Sequence, residues 1–307
     1  MTGTRTHKVE FSGAGGLRLA ADAWGDESRP AIVCLPGGGQ TRHSWHRTAK
    51  SLAARGYYAI SVDLRGHGDS EWAADGDYSV DAFAGDVLTL CEALPSPPIL
   101  VGASIGGIAA AVAVGESNRA LAGRTALAGR MALARALVLV DVVPDMATSG
   151  LDRIRAFMSA GRAGFASVAE AAAAVASYLP HRRAGESPER LKNSLRARGD
   201  GRLYWHWDPA FHAGSGQRSA QGMFERMAAA CARIRIPVLL VSGARSEVVD
   251  QTSGEQLLEL IPHAQWVRVP EATHMVAGDR NEVFSDALGT FLADCAPAHA
   301  PEQPSTA

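Results

Sequence analysis

The residues whose types and spacing most directly indicate chemistry are Gly102-Ala103-Ser104-Ile105-Gly106, a Gly-x-Ser-x-Gly motif. An apolar run at residues 99–101 precedes this motif, and an alanine-rich helical pattern follows it. This order predicts a strand, a sharp turn and a helix, with the hydroxyl of Ser104 exposed at the turn. The flanking glycines let the strand and the helix approach closely, because they carry no side chain. A serine presented in this way can act as a nucleophile.

The backbone amide that follows Ser104 belongs to Ile105, at the start of the predicted helix. The first N–H groups of a helix have no partner within it, and the helix dipole makes this end partly positive. A carbonyl oxygen becomes negatively charged when a nucleophile attacks its carbon, and such an amide stabilises that charge. The N–H of Ile105 is therefore predicted to be one donor of an oxyanion hole.

The elements that must position Ser104 alternate between strands and helices. Two strands around a glycine-rich turn begin the pattern, at residues 7–12 and 17–24. Further apolar runs predict buried strands at residues 31–35, 57–62, 99–101 and 136–140. Amphipathic or alanine-rich segments between them predict helices at residues 44–55 and 80–93. This alternation indicates an α/β fold in which right-handed crossovers join parallel strands and helices cover both faces.

A second motif, Asp63-Leu64-Arg65-Gly66-His67-Gly68-Asp69-Ser70, follows a predicted strand. Together with the Ser104 motif it resembles the α/β-hydrolase superfamily, over about residues 7 to 294. The resemblance implies a mostly parallel eight-stranded sheet flanked by helices, with a helical cap inserted between the sixth and seventh strands. It also implies that this second turn pins a loop beneath the site, so His67 is expected to be structural.

The resemblance divides the chain into a hydrolase core and a cap. The core is expected at residues 1–143 and 233–295, and the cap at residues 144–232, where strand signals vanish and helical patterns take over. The polar, proline-containing residues 296–307 predict a disordered tail. Residues 120–135 repeat an alanine- and leucine-rich segment at six-residue spacing, which we interpret as a helical surface extension.

The remaining catalytic groups are implied by the family's chain order of nucleophile, acid and base. His274 stands in the loop after the last predicted strand, where the family places its base. The acid commonly lies after the seventh strand, three residues beyond a glycine, but Ser246 occupies that slot, and so the adjacent Glu247 is predicted to be the acid. Some members take the acid from the position after the sixth strand, which makes Asp141 the alternative.

The second oxyanion donor is also implied by the resemblance. The loop after the third strand usually begins with His-Gly, and the residue after that pair donates its N–H, which corresponds here to Gly38. Pro36 replaces the usual histidine, so other groups must brace this loop. The segment Pro36-Gly37-Gly38-Gly39 lacks the lysine and hydroxyl residue of a phosphate-binding loop.

The cap segment contains a dense group of aromatic and histidine side chains. Four of them are predicted to line an apolar, aromatic substrate pocket: Trp205, His206, Trp207 and Phe211. Aromatic residues at this density can equally hold the cap against the core.

Composition limits the function classes further. The 30 Lys and Arg residues nearly balance the 32 Asp and Glu residues, which predicts no nucleic-acid partner. The four cysteines are scattered and lack metal-ligand spacing, and residues 1–11 contain no apolar signal segment. Both observations predict that the protein is located in the reducing cytoplasm. No apolar stretch is long enough to suggest a membrane span. We expect no metal or other cofactor, and a monomer or homodimer.

These features predict a serine hydrolase that cleaves a small carboxylic ester or lactone through an acyl-enzyme. Hydrolysis of a C–C bond and perhydrolysis are alternatives on the same triad. A member of the fold that binds a ligand without turning it over is a third, because Pro36 and the displaced acid depart from the family pattern.

Overall fold

The structure, a computed structural model, contains a twisted central sheet covered by helices on both faces. It describes residues 6–117, 132–178, 191–192, 194–213, 217–279 and 281–295. Residues 120–131 of the repeat and the predicted tail at residues 296–307 lie outside the described residues. The remainder of the repeat, residues 132–135, is not helical, and Leu133 and Ala134 are buried, so the predicted helical surface extension does not hold there.

Eight strands form the central sheet. They are β1 (His7–Ser12), β2 (Arg18–Trp24), β3 (Ala31–Leu35), β4 (Tyr58–Val62), β5 (Ile99–Ala103), β6 (Ala136–Val140), β9 (Val238–Gly243) and β10 (Gln265–Val269). Their order across the sheet is β1-β2-β4-β3-β5-β6-β9-β10. Strands β1 and β2 pair antiparallel with each other, β2 pairs antiparallel with β4, and every other pairing is parallel. The predicted fold class, the α/β-hydrolase fold, is confirmed.

Alternate residues of the buried strands face two separate hydrophobic cores, as the period of a strand requires. In β3, Val33 and Leu35 belong to one core, whereas Ile32 and Cys34 belong to the other. Helices α2 (Val80–Ala93), α3 (Ile105–Gly115) and α8 (Gln251–Leu260) cover the first face. Helices α1 (His46–Ala54) and α10 (Asn281–Cys295) cover the second. The inner parallel strands are therefore buried on both sides, which explains their apolar sequences, whereas the edge strand β10 is only partly buried and carries Gln265 and Arg268.

Between β6 and β9 the chain forms a smaller helical unit. Its described helices are α4 (Thr148–Ser159), α5 (Val168–Tyr178) and α6 (Ala210–Ala213). The helix that follows, α7 (Gln217–Cys231), packs on the core instead, because its Met227, Ala230 and Cys231 belong to the first hydrophobic core. A third hydrophobic cluster, centred on Met158, Phe165, Ala171, Trp205 and Trp207, lies within it. We refer to residues 144–232 as the cap segment, and its independence as a domain stays a prediction.

The expectation that the cap segment lacks strands is wrong. Strands β7 (Leu195–Ala197) and β8 (Leu203–Trp205) pair antiparallel as a short hairpin. Each strand has only three residues, too few for an alternating pattern to be recognised. The hairpin turn contains Gly201 with a φ of 76°, a conformation that favours glycine.

Three further short elements are described. A single 3-10 turn, Ala14–Gly16, joins β1 to β2. A 3-10 helix, Arg42–Trp45, leads directly into α1, and α9 (Val276–Asp279) precedes α10. Among the residues that the structure describes, no helix combines the length and apolar character needed to cross a bilayer.

Candidate active site

Ser104 lies at the turn between β5 and α3, as the sequence predicts. Its φ of 47° and ψ of −122° are unusual for a residue with a side chain. A Cβ atom on Gly102 would lie 2.6 Å from the carbonyl oxygen of Gly106, and one on Gly106 would lie 2.5 Å from that of Pro36. Both positions therefore need glycine, because any larger residue would push strand, helix and neighbouring loop apart.

Asp141 follows β6 directly and stands beside the turn that carries Ser104. The last residues of β5 and β6, Ala103 and Val140, are paired in the parallel register. The N–H of Ser104 donates to the oxygen of Val140 at 3.4 Å. Asp141 also has a positive φ, 50°. Two residues with a backbone strained in this way thus follow neighbouring strands, a combination that is common at functional sites.

The carboxylate of Asp141 is fully buried, with an exposed fraction of 0%, and it accepts three hydrogen bonds. Nδ1 of His274 donates to Oδ2 at 2.7 Å, and Oγ of Ser246 donates to the same oxygen at 2.6 Å. The N–H of Gly243 donates to Oδ1 at 3.0 Å. Buried carboxylates need such partners, and here they also fix the orientation of the His274 ring.

The structure contradicts the prediction that Glu247 is the carboxylate beside His274. The Glu247 side chain is 47% exposed and forms an ion pair with Arg153 of α4. Ser246, in the slot where the family usually has its acid, donates to Asp141 instead. The alternative, Asp141, therefore occupies the required place, because its position after β6 lies next to the β5 turn.

His274 lies in the loop after β10, and its side chain is mostly buried. Because Nδ1 faces a carboxylate that can only accept, Nδ1 carries the proton of the neutral ring, and Nε2 keeps a lone pair. An imidazole in this tautomer can accept a proton through Nε2. The structure thus places His274 and Asp141 together in the arrangement that a catalytic base and acid require.

The loop after β3 that contains Gly37, Gly38 and Gly39, which we call the glycine loop, lies next to Ser104. A turn closes with the N–H of Gln40 donating to the oxygen of Gly37 at 3.1 Å. A Cβ atom on Gly37 would lie 3.3 Å from Cβ of Ser104, and one on Gly38 would lie 3.8 Å from Cγ2 of Ile105. The two residues predicted to supply the oxyanion donors, Gly38 and Ile105, are therefore neighbours beside the Ser104 turn.

Gln40 braces this loop in place of the missing histidine, a contribution that sequence reasoning missed. Its Oε1 accepts from the N–H of Gly37 at 3.3 Å, and its Nε2 donates to Sδ of Met275 at 3.2 Å. The side chain thus ties the glycine loop to the residue that follows His274. The only sequence signal was negative, namely Pro36 at the position where the family has its usual brace.

His206 is buried, with an exposed fraction of 1%, and it joins three segments. The N–H of Gly68 donates to Nδ1 at 2.7 Å, so Nε2 carries the proton and donates to the oxygen of Gly39 at 3.3 Å. The ring also packs near that of His67. These contacts favour a structural role over the predicted role in the substrate pocket, because both ring nitrogens are occupied by backbone groups.

The other predicted pocket residues divide into two groups. Trp205 stacks on Trp207 and donates through Nε1 to the oxygen of Ala160 at 3.0 Å, which places it inside the cap segment. A Cβ atom on Gly39 would lie 3.3 Å from the ring of Trp207, and one on Gly38 would lie 3.3 Å from the ring of Phe211. Trp207 and Phe211 therefore lie against the glycine loop, and their contact with substrate stays a prediction.

Burial keeps two histidines uncharged where the cap segment meets the core. It lowers the pKa of His67 to about 4 and that of His206 to about 3. His67 is fully buried, its Nδ1 contacts the oxygen of Arg65 at 2.9 Å, and its ring meets that of Phe211 edge-on, as expected for a structural residue.

Acidification should destabilise the protein through these two histidines. In the unfolded chain, His67 and His206 bind protons below about pH 6.5. In the folded protein they bind protons only below about pH 4. The free energy of unfolding therefore decreases as the pH is lowered from about 6.5 to about 4. Each histidine contributes a loss of about 1.4 kcal/mol per pH unit at most. His206→Gln, which retains a donor and an acceptor, should remove one of the two contributions.

Chemical unfolding at pH 7, 6 and 5 measures this difference. The free energy of unfolding of His206→Gln should decline less steeply than that of the wild type. Equal slopes in the two proteins would show that His206 does not titrate differently on unfolding.

Comparison with known proteins agrees with this architecture. The sequence profile of the alpha/beta hydrolase fold family matches residues 30–280. The chain therefore belongs to the α/β-hydrolase fold family, and it is a hydrolase enzyme. It is 27% identical to 3-hydroxybutyrate-oligomer hydrolase of Cupriavidus necator, over 86% of this chain and 89% of that protein. It is 29% identical to esterase Rv0045c of Mycobacterium tuberculosis, over 85% of this chain and 82% of that protein.

Solved structures show the same fold. E-2-(acetamidomethylene)succinate hydrolase is similar with a TM-score of 0.76 at 24% identity, covering 94% of this chain and all (100%) of that one. The structure of esterase Rv0045c is similar with a TM-score of 0.71 at 25% identity, covering 94% of this chain and 92% of that one.

Proposed function

We propose that the protein is a serine hydrolase that cleaves a small carboxylic ester or lactone with a Ser104–His274–Asp141 triad. The observation that carries the proposal is the 2.7 Å hydrogen bond between Nδ1 of His274 and the buried carboxylate of Asp141. This pair lies beside the strained turn of Ser104, because β5 and β6 are neighbouring parallel strands. Asp141 thus replaces Glu247 in the triad that the sequence predicts.

In the first step, Nε2 of His274 takes the proton of the Ser104 hydroxyl while Oγ attacks the ester carbonyl carbon. A serine hydroxyl is a weak nucleophile, so this proton transfer is required. The carboxylate of Asp141 holds the ring in the tautomer with a free lone pair on Nε2 and stabilises the imidazolium that forms. The resulting tetrahedral intermediate carries its negative charge on the former carbonyl oxygen.

The N–H groups of Gly38 and Ile105 stabilise that oxygen. Each such donor contributes on the order of 3 kcal/mol to lowering the barrier. His274 then gives its proton to the alcohol oxygen, the C–O bond breaks, and an acyl-enzyme ester on Ser104 remains. Water attacks this ester with His274 again as the base, which releases the carboxylic acid and returns the proton to Oγ of Ser104.

Two observations support an ester of modest size and apolar character. Phe211 and Trp207 pack against Gly38 and Gly39, so apolar rings border the loop that would receive the substrate carbonyl. Proteins similar to this chain are named as an esterase and as a 3-hydroxybutyrate-oligomer hydrolase, and both names denote hydrolysis of an ester.

Turnover of p-nitrophenyl acetate, butyrate and octanoate by the pure protein tests the proposal. We expect hydrolysis of acetate and butyrate that follows saturation kinetics and disappears in Ser104→Ala. Equal rates in the wild type and in Ser104→Ala would contradict a serine hydrolase, because the hydrolysis would then not depend on the nucleophile.

Phe211→Ala tests the substrate class in the same assay. If the Phe211 ring borders the acyl group, its removal should raise kcat/KM for the octanoate relative to the acetate by roughly tenfold, since added space favours the longer chain by about 1 to 3 kcal/mol. A uniform loss for all three esters would indicate that the ring only supports the fold around His67 and Phe83.

A further inference from the structure

Three side chains that the proposed catalysis does not use converge near the start of α1. They are Asp22 of β2, His43 of the 3-10 helix and His46, the first residue of α1. Nε2 of His46 lies 2.9 Å from Oδ2 of Asp22 and 3.0 Å from Nδ1 of His43. Nδ1 of His43 lies 3.9 Å from Oδ2 of Asp22. Two imidazole nitrogens and one carboxylate oxygen thus form a small triangle of potential ligand atoms.

We propose that Asp22, His43 and His46 bind one divalent transition-metal ion, with Zn²⁺ as the representative. Zinc binds imidazole nitrogen and carboxylate oxygen at about 2.0–2.2 Å in tetrahedral geometry, which separates ligand atoms by about 3.3 Å. The three observed separations, 2.9, 3.0 and 3.9 Å, lie around this value. The fourth position is left to water or to an external ligand.

Hydrogen bonding alone cannot satisfy this triangle when both histidines are neutral. If Nε2 of His46 carries a proton and donates it to Asp22, it has no lone pair for Nδ1 of His43. If Nε2 instead accepts from His43, it turns its lone pair towards the carboxylate of Asp22. One short contact therefore stays unmatched in either tautomer. A cation that accepts a lone pair from each of the three atoms matches all of them.

The charges around the triangle are compatible with a cation. The nearest positive group, the guanidinium of Arg42, lies with Nε 3.1 Å from Oδ2 of Asp22 and also pairs with Asp63 and Asp69. Arg196 of β7 approaches Asp69. In the part of the chain that the structure describes, the carboxylates of Asp22, Asp63 and Asp69 thus face two guanidinium groups, which leaves one more negative than positive charge in this cluster.

The site also has access to solvent and a defined place in the fold. The side chains of His43 and His46 are 32% and 37% exposed, so an ion can enter without unfolding. His43 follows Gly38 by only five residues along the chain. A bound ion would join β2 to the segment between the glycine loop and α1, and it would be separate from the Ser104–His274–Asp141 group.

Titration calorimetry with ZnCl₂ on the full chain tests the proposal. We expect the wild type to bind one ion with a dissociation constant below roughly 10 μM, and His46→Gln and His43→Gln to bind it at least tenfold more weakly. The melting temperature of the wild type should rise by about 5 °C at zinc concentrations one hundredfold above the dissociation constant, and those of the two variants should not.

Matched controls keep the result specific. His263→Gln removes a histidine outside the triangle and should bind zinc like the wild type. His46 packs against Trp24 of β2, so replacing His43, whose ring contacts that of His46, serves as the test if His46→Gln proves unstable. A wild-type dissociation constant above about 10 μM, or unchanged binding in a folded His43→Gln variant, would overturn the proposal.

Discussion

Ser104→Ala should lower kcat for p-nitrophenyl butyrate by roughly 10⁴- to 10⁶-fold, because the variant lacks the proposed nucleophile. The fold should remain intact, since the hydroxyl stands at a turn and the structure attributes no packing role to it. A fluorophosphonate probe should label the wild type at Ser104 and leave Ser104→Ala unlabelled. Intact-mass and peptide analysis of the labelled protein identifies the modified residue.

Ser104→Gly provides a sharper version of the same experiment. At a φ of 47° and ψ of −122°, glycine avoids the steric cost that a side chain incurs, although it adds flexibility to the unfolded chain. We expect Ser104→Gly to be inactive but more stable than Ser104→Ala, by about 1 kcal/mol. Thermal melts of both variants measure this difference. A folded Ser104→Ala variant with wild-type turnover, or a label on another residue, would contradict the assignment of the nucleophile.

The sequence was sufficient to predict the strand, turn and helix around Ser104, and the reason is local. The run before Ser104, the two glycines and the helix after it each restrict the backbone within a few residues. A Cβ atom on Gly102 or on Gly106 would lie within 2.6 Å of neighbouring backbone, which explains why both positions are glycine. The alternation of strands and helices likewise follows from burial on both faces of the sheet.

The acid could not be predicted with the same certainty because its identity depends on contacts between distant segments. Asp141 and His274 are separated by 133 positions in the chain and meet only when β6, β9 and β10 are assembled. Glu247 stands one residue from the family's usual slot, but it faces Arg153 of the cap segment, which no local pattern reveals. The serine in that slot was informative, because Ser246 supports the carboxylate of Asp141 instead of replacing it.

The aromatic residues of the cap segment show a second kind of structural detail that residue types alone do not predict. Aromatic density around residues 204–211 indicated burial correctly, but density does not distinguish a pocket wall from a packing contact. His206 binds two backbone groups, whereas Phe211 and Trp207 approach the glycine loop. Which ring lies where depends on how the cap segment packs on the core.

Asp141→Asn should lower kcat by about 10⁴-fold while the protein stays folded. The asparagine is nearly the same size, and it tolerates the positive φ of 50° at this position. Its amide group can donate to Nδ1 of His274, which moves the ring proton to Nε2 and removes the lone pair that must accept the Ser104 proton. The expected loss corresponds to about 5.5 kcal/mol of transition-state stabilisation.

Glu247→Gln is the matched control, because it makes the same chemical change at the other candidate acid. Glu247 lies at the surface in an ion pair with Arg153, and exposed pairs contribute about 0 to 1 kcal/mol to stability. We therefore expect Glu247→Gln to retain kcat within about twofold and to melt near the wild-type temperature. Steady-state kinetics with one ester, with melts of all three proteins, separate the candidates. Collapse of turnover in Glu247→Gln with near-normal turnover in folded Asp141→Asn would return the acid to Glu247, and it would mean that the loop after β9 rearranges to bring that side chain to His274.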